Sequence, residues 1–298
     1  MDNHTLWNLA GEAEDATVAH YEPVFNRFSA DSGLDDPTIG LLLAAVTFVP
    51  ETTSAARLLV RGPYTAAETY LARLAAVTEK GYMTEVSPGE YRLNDLGRAE
   101  VQRLIEEART VMAQVDPLPL ADSQRLAILL DQIVQASLNT PPPPDTWSIR
   151  LSFKLMPATS PPLPYIEQAV SCLSGYRDDA HLAAWHPGGL SAAALETLTV
   201  FWRGEADSLA AVCQRLSRRG HSPDVYAEAL RELRTRGFVK GPEVAPRLTE
   251  AGRAFREQVE RDTDRYFFAP WACLDEAQRV ELAELLTRLR GGLRESRA

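Results

Sequence analysis

Four side chains of types that bind metals lie close together in the second half of the chain. Asp178, Asp179, His181 and His186 fall within nine residues, and carboxylate and imidazole groups are common zinc ligands. Their spacing matches none of the usual ligand frames, and a polar helix end exposed to solvent has the same composition. We therefore expect a solvated helix end here and no bound metal.

The other polar residues form no pattern that is typical of catalysis. Gly188 and Gly189 lack the surrounding GxxxxGK or GxGxxG that would hold a phosphate, and no serine lies in a nucleophile elbow. Three acids of one segment, Glu260, Asp262 and Asp264, are placed to form ion pairs with its arginines. Those arginines are Arg256, Arg261 and Arg265. The sequence predicts neither an enzyme nor a cofactor site.

An aromatic cluster stands out between two predicted helices near the end of the chain. It consists of Tyr266, Phe267, Phe268 and Trp271, with Pro270 among them. Two interpretations are open. The rings can fill a core between two domains, or they can line a small-molecule pocket, because such pockets favour domain junctions and aromatic walls.

The elements that would position these residues centre on residues 208–260. The apolar spacing predicts a short helix, a turn at Gly220, and a second helix that begins at Ser222 and Pro223 and ends before a left-handed Gly237. A short hairpin near residues 238–248 and a third helix capped by Thr249 complete the segment. This order is typical of a winged helix-turn-helix.

The same order is expected in residues 65–106, where Thr65 and Glu68 have the spacing of a capping box. Apolar, glycine and aromatic positions of this segment recur 156 residues later, and the offset is 155 after the hairpin. The first set comprises Tyr70, Leu74, Gly81, Tyr82 and Met83, and its counterparts are Tyr226, Leu230, Gly237, Phe238 and Val239. We interpret this recurrence as an internal duplication.

Both segments resemble the MarR-like winged-helix regulators, and residues 252–264 also resemble the tail of an uncharacterised actinobacterial helix-turn-helix group. The resemblance implies a mainly α fold with small β-hairpin wings, built from two tandem winged helix-turn-helix domains in a pseudo-two-fold arrangement. Members of the MarR-like family usually pair as homodimers, so a chain with two copies is expected to form that pair within itself. The resemblance also implies effector binding near Trp271.

The helical pattern that buries Tyr70, Leu71 and Leu74 leaves polar residues of the first recognition helix facing outward. The same pattern selects outward-facing residues of the second recognition helix, and the wings and the turn before that helix add further arginines. Together they give eight residues that are predicted to contact duplex DNA. They are Thr69, Arg73, Arg92, Arg218, Arg219, Arg231, Arg234 and Arg247.

The charge of the whole chain opposes DNA binding, whereas the charge of two of its segments favours it. The chain carries a net charge of −10, and each predicted recognition helix is neutral, although residues 203–240 sum to +3 and residues 52–98 to +1. Because phosphate neutralisation dominates nucleic-acid affinity, an alternative stays open. In that alternative the protein has lost DNA binding and acts as a protein-interaction or small-molecule-binding module.

Composition and the positions of the prolines predict the domain organisation of the chain. The four prolines at 141–144 indicate a boundary between a domain at 1–140 and one at 164–298, joined by a Pro-rich linker at 141–163 with a strand-like patch at 149–155. The three cysteines lack CxxC spacing, and no apolar run is long enough to cross a membrane. We therefore expect a cytoplasmic protein, either a monomer with an internal pseudo-dimer or a higher oligomer.

Overall fold

The computed structural model describes residues 2–297, which fold into thirteen α-helices and four short strands. This confirms the predicted fold class, mainly α with small hairpin wings. The elements are α1 Asn3–Ser32, α2 Asp36–Val46, α3 Ala55–Arg61, α4 Ala67–Glu79, β1 Met83–Ser87, β2 Glu90–Leu93, α5 Asp95–Ala113, α6 Leu120–Leu138, α7 Trp147–Phe153, α8 Pro162–Trp185, α9 Ala192–Trp202, α10 Leu209–Arg215, α11 Pro223–Thr235, β3 Val239–Lys240, β4 Arg247–Leu248, α12 Glu250–Phe268 and α13 Glu276–Glu295.

One order of elements occurs twice along the chain. Helices α2, α3 and α4, the β1–β2 hairpin, α5 and α6 follow one another in unit 1, and α9 to α13 with the β3–β4 hairpin follow in the same order in unit 2. Each unit has its own apolar core beneath its recognition helix. Leu74 of α4 and Leu230 of α11, matched in sequence, are both fully buried in these cores.

Matched glycines explain why both hairpins sit close to the helices that flank them. Gly81 and Gly237 follow the recognition helices with φ of 79° and 73°, a region that glycine adopts without strain. Gly97 and Gly252 lie where the next helix passes the start of the wing. A Cβ atom at Gly97 would stand 2.0 Å from the Tyr82 carbonyl oxygen, and one at Gly252 would stand 2.2 Å from that of Phe238.

The two units exchange helices in a third, central core. Helix α1, which precedes unit 1, packs on α13 of unit 2, and α8, which precedes unit 2, packs on α6 of unit 1. Helices α6 and α13 also contact each other. This exchange of helices is reciprocal, and large apolar side chains from both halves are fully buried in the central core, among them Leu6, Leu130 and Tyr176.

Two local predictions are wrong. The strand-like patch at 149–155 lies mostly in a helix, α7, because the buried Asp179 carboxylate of α8 accepts the backbone N–H groups of Ser148 and Ile149 at 2.8 and 3.0 Å. The start of α4 also differs from the predicted capping box. Its N-cap is Ala66 rather than Thr65, and no side chain caps this end of the helix.

Within residues 2–297, no helix combines the length and the apolar character that crossing a bilayer requires.

Candidate nucleic-acid interface

Helix α11 presents the more open of the two recognition faces. Tyr226, Leu230 and Leu233 are buried against the core of unit 2, as their helical spacing predicts. Pro223 occupies the first helical turn, where its missing N–H costs no hydrogen bond. The first residues of the helix are exposed, and so is Arg231 farther along. This face can therefore approach a groove of duplex DNA without rearrangement of its own unit.

The predicted DNA contacts of unit 2 differ in their availability. Arg231 is exposed and forms an ion pair with Glu228 at 2.5 Å, and Arg247 is exposed on β4. Arg234 instead turns back toward its own wing, where its Nε donates to the Gly241 carbonyl oxygen at 3.0 Å. Arg234 thus ties α11 to the β3–β4 turn, a contact that helical spacing alone could not predict.

In unit 1, the wing is open and the recognition helix is not. Arg92 is exposed on β2. Thr69 and Arg73 of α4 are half-buried, although they were predicted to face outward, because this helix begins at the junction between the units. The prediction that Leu71 is buried is wrong, since its side chain is 41% exposed.

The turn between α10 and α11 covers the first turn of α4. The Ala66 N–H donates to the Arg219 carbonyl oxygen at 2.8 Å, and the His221 Nε2 lies 3.0 Å from the Tyr64 carbonyl oxygen. Gly220 packs so closely on Thr69 that an added Cβ would stand 1.9 Å from the threonine Oγ1. The Ala66 N–H has no acceptor within its own helix, and the carbonyl oxygen of Arg219 in the other unit supplies one.

The two arginines of that turn have separate environments. Arg219 forms an ion pair with Glu196 at 2.6 Å, and its guanidinium lies 5.6 Å from the centre of the Tyr64 ring. The Arg219 side chain therefore lies at the junction between the units, and its contact with a DNA backbone stays a prediction. Arg218 is exposed and, within residues 2–297, forms no ion pair.

The aromatic cluster lies mainly in the central core. Phe267 and Trp271 are 0% and 1% exposed, and both rings pack edge-on against Trp7 of α1. Tyr266 and Phe268 are half-buried, and Tyr266 borders a shallow surface cavity. Burial of the two central rings favours the first of the two interpretations, an interdomain core. The wall of a ligand pocket remains a prediction for Tyr266 and Phe268.

The candidate metal ligands of α8 have protein partners. The Asp178 carboxylate accepts from the Arg61 Nε at 3.1 Å, and the His181 Nδ1 lies 3.1 Å from the Thr263 Oγ1. Burial lowers the pKa of His181 to about 4 and raises that of Asp179 to about 6. The expected solvated helix end is wrong for Asp179, which is 4% exposed, because this carboxylate holds α7.

Comparison with known proteins gives one family and one solved structure. A family described as a helix-turn-helix family matches residues 95–298. The chain is also similar to the MarR family protein Rv2887 of Mycobacterium tuberculosis, with 24% identity over 44% of this chain and 96% of that one and a TM-score of 0.33. None of the curated proteins matches the chain.

Proposed function

The chain belongs to the helix-turn-helix family whose model covers residues 95–298, and from that premise we propose that it is a DNA-binding transcriptional regulator of the cytoplasm without enzymatic activity. The observation that carries the proposal is the exposed face of α11. Arg231 on this helix and Arg247 on the adjacent wing are both exposed to solvent. Arg92 on the first wing extends the proposed contact to unit 1.

We propose that the two units arose by duplication and act as an internal pseudo-dimer. The repeated element order and the reciprocal packing of α1 on α13 and of α8 on α6 support this proposal. A homodimer of single-unit chains would bury equivalent helices in the same exchanged way. A monomer of this chain then has both recognition helices that an operator of two half-sites needs.

One observation favours the alternative, a winged-helix protein that binds other ligands without DNA. A recognition helix of this class reads base edges with its N-terminal residues, and the N-terminal turn of α4 is covered by residues 219–221. Either this contact opens when DNA binds, or unit 2 alone reaches the duplex. The net charge of −10 also opposes non-specific attraction to DNA.

A salt-titrated binding experiment decides between the two functions. Fluorescence anisotropy of a labelled random-sequence duplex, measured from low to physiological salt, should show an affinity that falls linearly on logarithmic axes. Arg231→Ala and Arg247→Ala should each lower that slope by about one, since each removes a phosphate contact. Arg288→Ala, on α13 and far along the chain from both wings, is the matched control and should leave the slope unchanged.

The absence of saturable binding at low salt would reject DNA binding and leave the interaction module as the function. Binding with a slope that neither wing nor α11 variants alter would place the contact elsewhere on the protein.

A further inference from the structure

A cleft of about 570 Å³ lies where the two winged units meet. In unit 1 its walls come from α2, from the segment that precedes α4 and from Arg73 in the middle of α4. In unit 2 they come from α9, α10 and α12 and from the residues that follow α9 and α10, with one side chain of α8. The turn between α10 and α11 contributes Arg218 and Arg219 to this lining. The volume lies in the range of 300 to 1,000 Å³ that is usual for sites of small molecules.

Arginine dominates the lining of this cleft. Six arginines line it against two glutamates, although the whole chain carries a net charge of −10. Glu205 pairs with Arg215 at 2.8 Å, and Glu196 pairs with Arg219, so the acids neutralise only part of the positive charge. The six are Arg73, Arg203, Arg215, Arg218, Arg219 and Arg256.

Arg256 is the deepest of these side chains and keeps one donor group unused. It is 3% exposed, its Nε donates to the Thr199 Oγ1 at 2.8 Å, and it forms an ion pair with Glu260. Its Nη1 is buried and has no hydrogen-bond partner in the part of the chain that the structure describes. A buried guanidinium N–H without an acceptor is costly, and an acceptor supplied by a ligand would remove that cost.

We propose that this cleft binds a small oxyanion, a molecule that carries a phosphate or carboxylate group. A guanidinium matches the two oxygens of such a group with parallel hydrogen bonds. A duplex cannot supply the ligand, because the Arg256 side chain is almost fully buried between helices, where only a small molecule can reach. Arg73 and Arg218 line the cleft without an ion pair in residues 2–297, so their charges are free to join the site.

The site belongs to both units, since Arg73 comes from unit 1 and the other five arginines come from unit 2. An anion held by Arg73 and Arg218 together would add a second connection beside the contact of Thr69 with Gly220. Binding would therefore stabilise the arrangement in which the start of α4 is covered. An anion that keeps the start of α4 covered would oppose contact of this helix with DNA. That effect on DNA rests on the proposed function, whereas the binding of the anion does not.

Thermal unfolding of the full chain without DNA tests the site directly. Inorganic phosphate and succinate are titrated in separate arms, each against sodium chloride at the same ionic strength. A ligand that binds only the folded state raises Tm, and above its Kd this rise continues with the logarithm of the ligand concentration. We expect such a rise in at least one arm, and the arm that responds distinguishes phosphate from carboxylate chemistry.

Variants locate the effect. Arg218→Gln and Arg73→Gln should each weaken the apparent affinity about tenfold. A loss of this size corresponds to the free energy that one hydrogen bond to a charged group contributes. Arg256→Gln should weaken it at least as much, and the two less buried variants carry the test if this one does not fold. Arg253→Gln, an exposed arginine one turn earlier on α12 and outside the cleft, should leave the affinity unchanged.

A Tm in both arms that does not exceed the sodium chloride control, or a rise that the Arg73→Gln and Arg218→Gln variants retain in full, would overturn the proposal. Failure of the duplex to bind in the anisotropy experiment would leave this result untouched, because no DNA is present here.

Discussion

The α1 carboxylate Glu14 opposes folding at neutral pH. Burial raises its pKa to about 7, and the nearby carboxylates of Glu167 and Asp15 raise it further. Glu167 is held in place because its Oε1 accepts from the Tyr21 hydroxyl at 2.8 Å. The folded protein therefore binds a proton at Glu14 that the unfolded chain, with a pKa near 4.5, releases.

The difference between the pKa of Glu14 in the folded and unfolded states predicts how the stability of the protein depends on pH. Because the pKa of Glu14 is higher in the folded state, its contribution to the free energy of unfolding falls as pH rises from 4.5 to about 7. Glu14→Gln should stabilise the protein by about 1 to 3 kcal/mol at pH 8, with allowance for partial solvent screening, and by much less at pH 5. Urea unfolding at both pH values measures the difference.

The exposed Glu22, two turns farther along α1, provides the control as Glu22→Gln. Equal effects of Glu14→Gln at pH 5 and pH 8 would show that Glu14 does not titrate in this window.

At the residue scale, the sequence predicted side-chain exposure well within one helix and poorly across the junction. Tyr226, Leu230 and Leu233 are buried as their spacing requires. Thr69 and Arg219 differ from prediction because their partners, Gly220 and Glu196, come from other elements, in the case of Thr69 from the other unit. Helical periodicity describes which side of a helix is apolar, and it holds no information on which element approaches the polar side.

The turn at Gly220 is the element on which the covered state of α4 depends. Gly220 has a φ of 77°, and its α carbon faces Thr69 so closely that any side chain would collide with the threonine Oγ1. Gly220→Ala should therefore separate the turn from α4 and expose the Ala66 N–H. Hydrogen exchange of a peptide spanning the start of α4 should become faster, since a local contact is lost while the unit cores remain.

Gly204→Ala is the matched control for this experiment. Gly204 has a similar φ of 70°, but no atom lies within 4 Å of an added Cβ. The substitution carries the same backbone strain of about 1 to 2 kcal/mol without the collision. Adding Thr69→Ala to Gly220→Ala should restore part of the protection. Equal exchange in the two glycine variants would mean that the contact does not hold α4.

Elements with local signals were predictable, and those with distant partners were not. Gly237, Thr249 and the β3–β4 hairpin follow from residues within a few positions of one another, and the structure has each where it was expected. Helix α7 was missed because the carboxylate that holds its first N–H groups, Asp179, lies about thirty residues later. A seven-residue helix after a proline run has little propensity signal of its own.

Across the whole molecule, charge is segregated in a way that the sum of −10 conceals. Residues 1–51 carry −8, half of it on α1, whereas the cleft between the units gathers six arginines. The sequence separates these arginines by up to 183 positions, from Arg73 to Arg256. Only the packing of unit 1 against unit 2 brings them together, so the cleft could not be predicted from spacing.

The reciprocal packing of the two units predicts how the whole chain unfolds. The N-terminal part of α1 and the apolar face of α6 are buried in the central core with α13 and α8 of the other half, so neither half is expected to unfold alone. Leu74→Ala in unit 1 and Leu230→Ala in unit 2 remove matched, fully buried side chains, and each should lower the free energy of unfolding by about 2 to 5 kcal/mol. Calorimetry should show a single transition in the parent and in both variants, with equal calorimetric and van't Hoff enthalpies. Each variant should have a lower Tm than the parent.

Leu96→Ala, at a side chain that is 57% exposed on α5, is the control and should leave Tm nearly unchanged. Two separate transitions, of which each leucine variant shifts only one, would show instead that the central core does not couple the units.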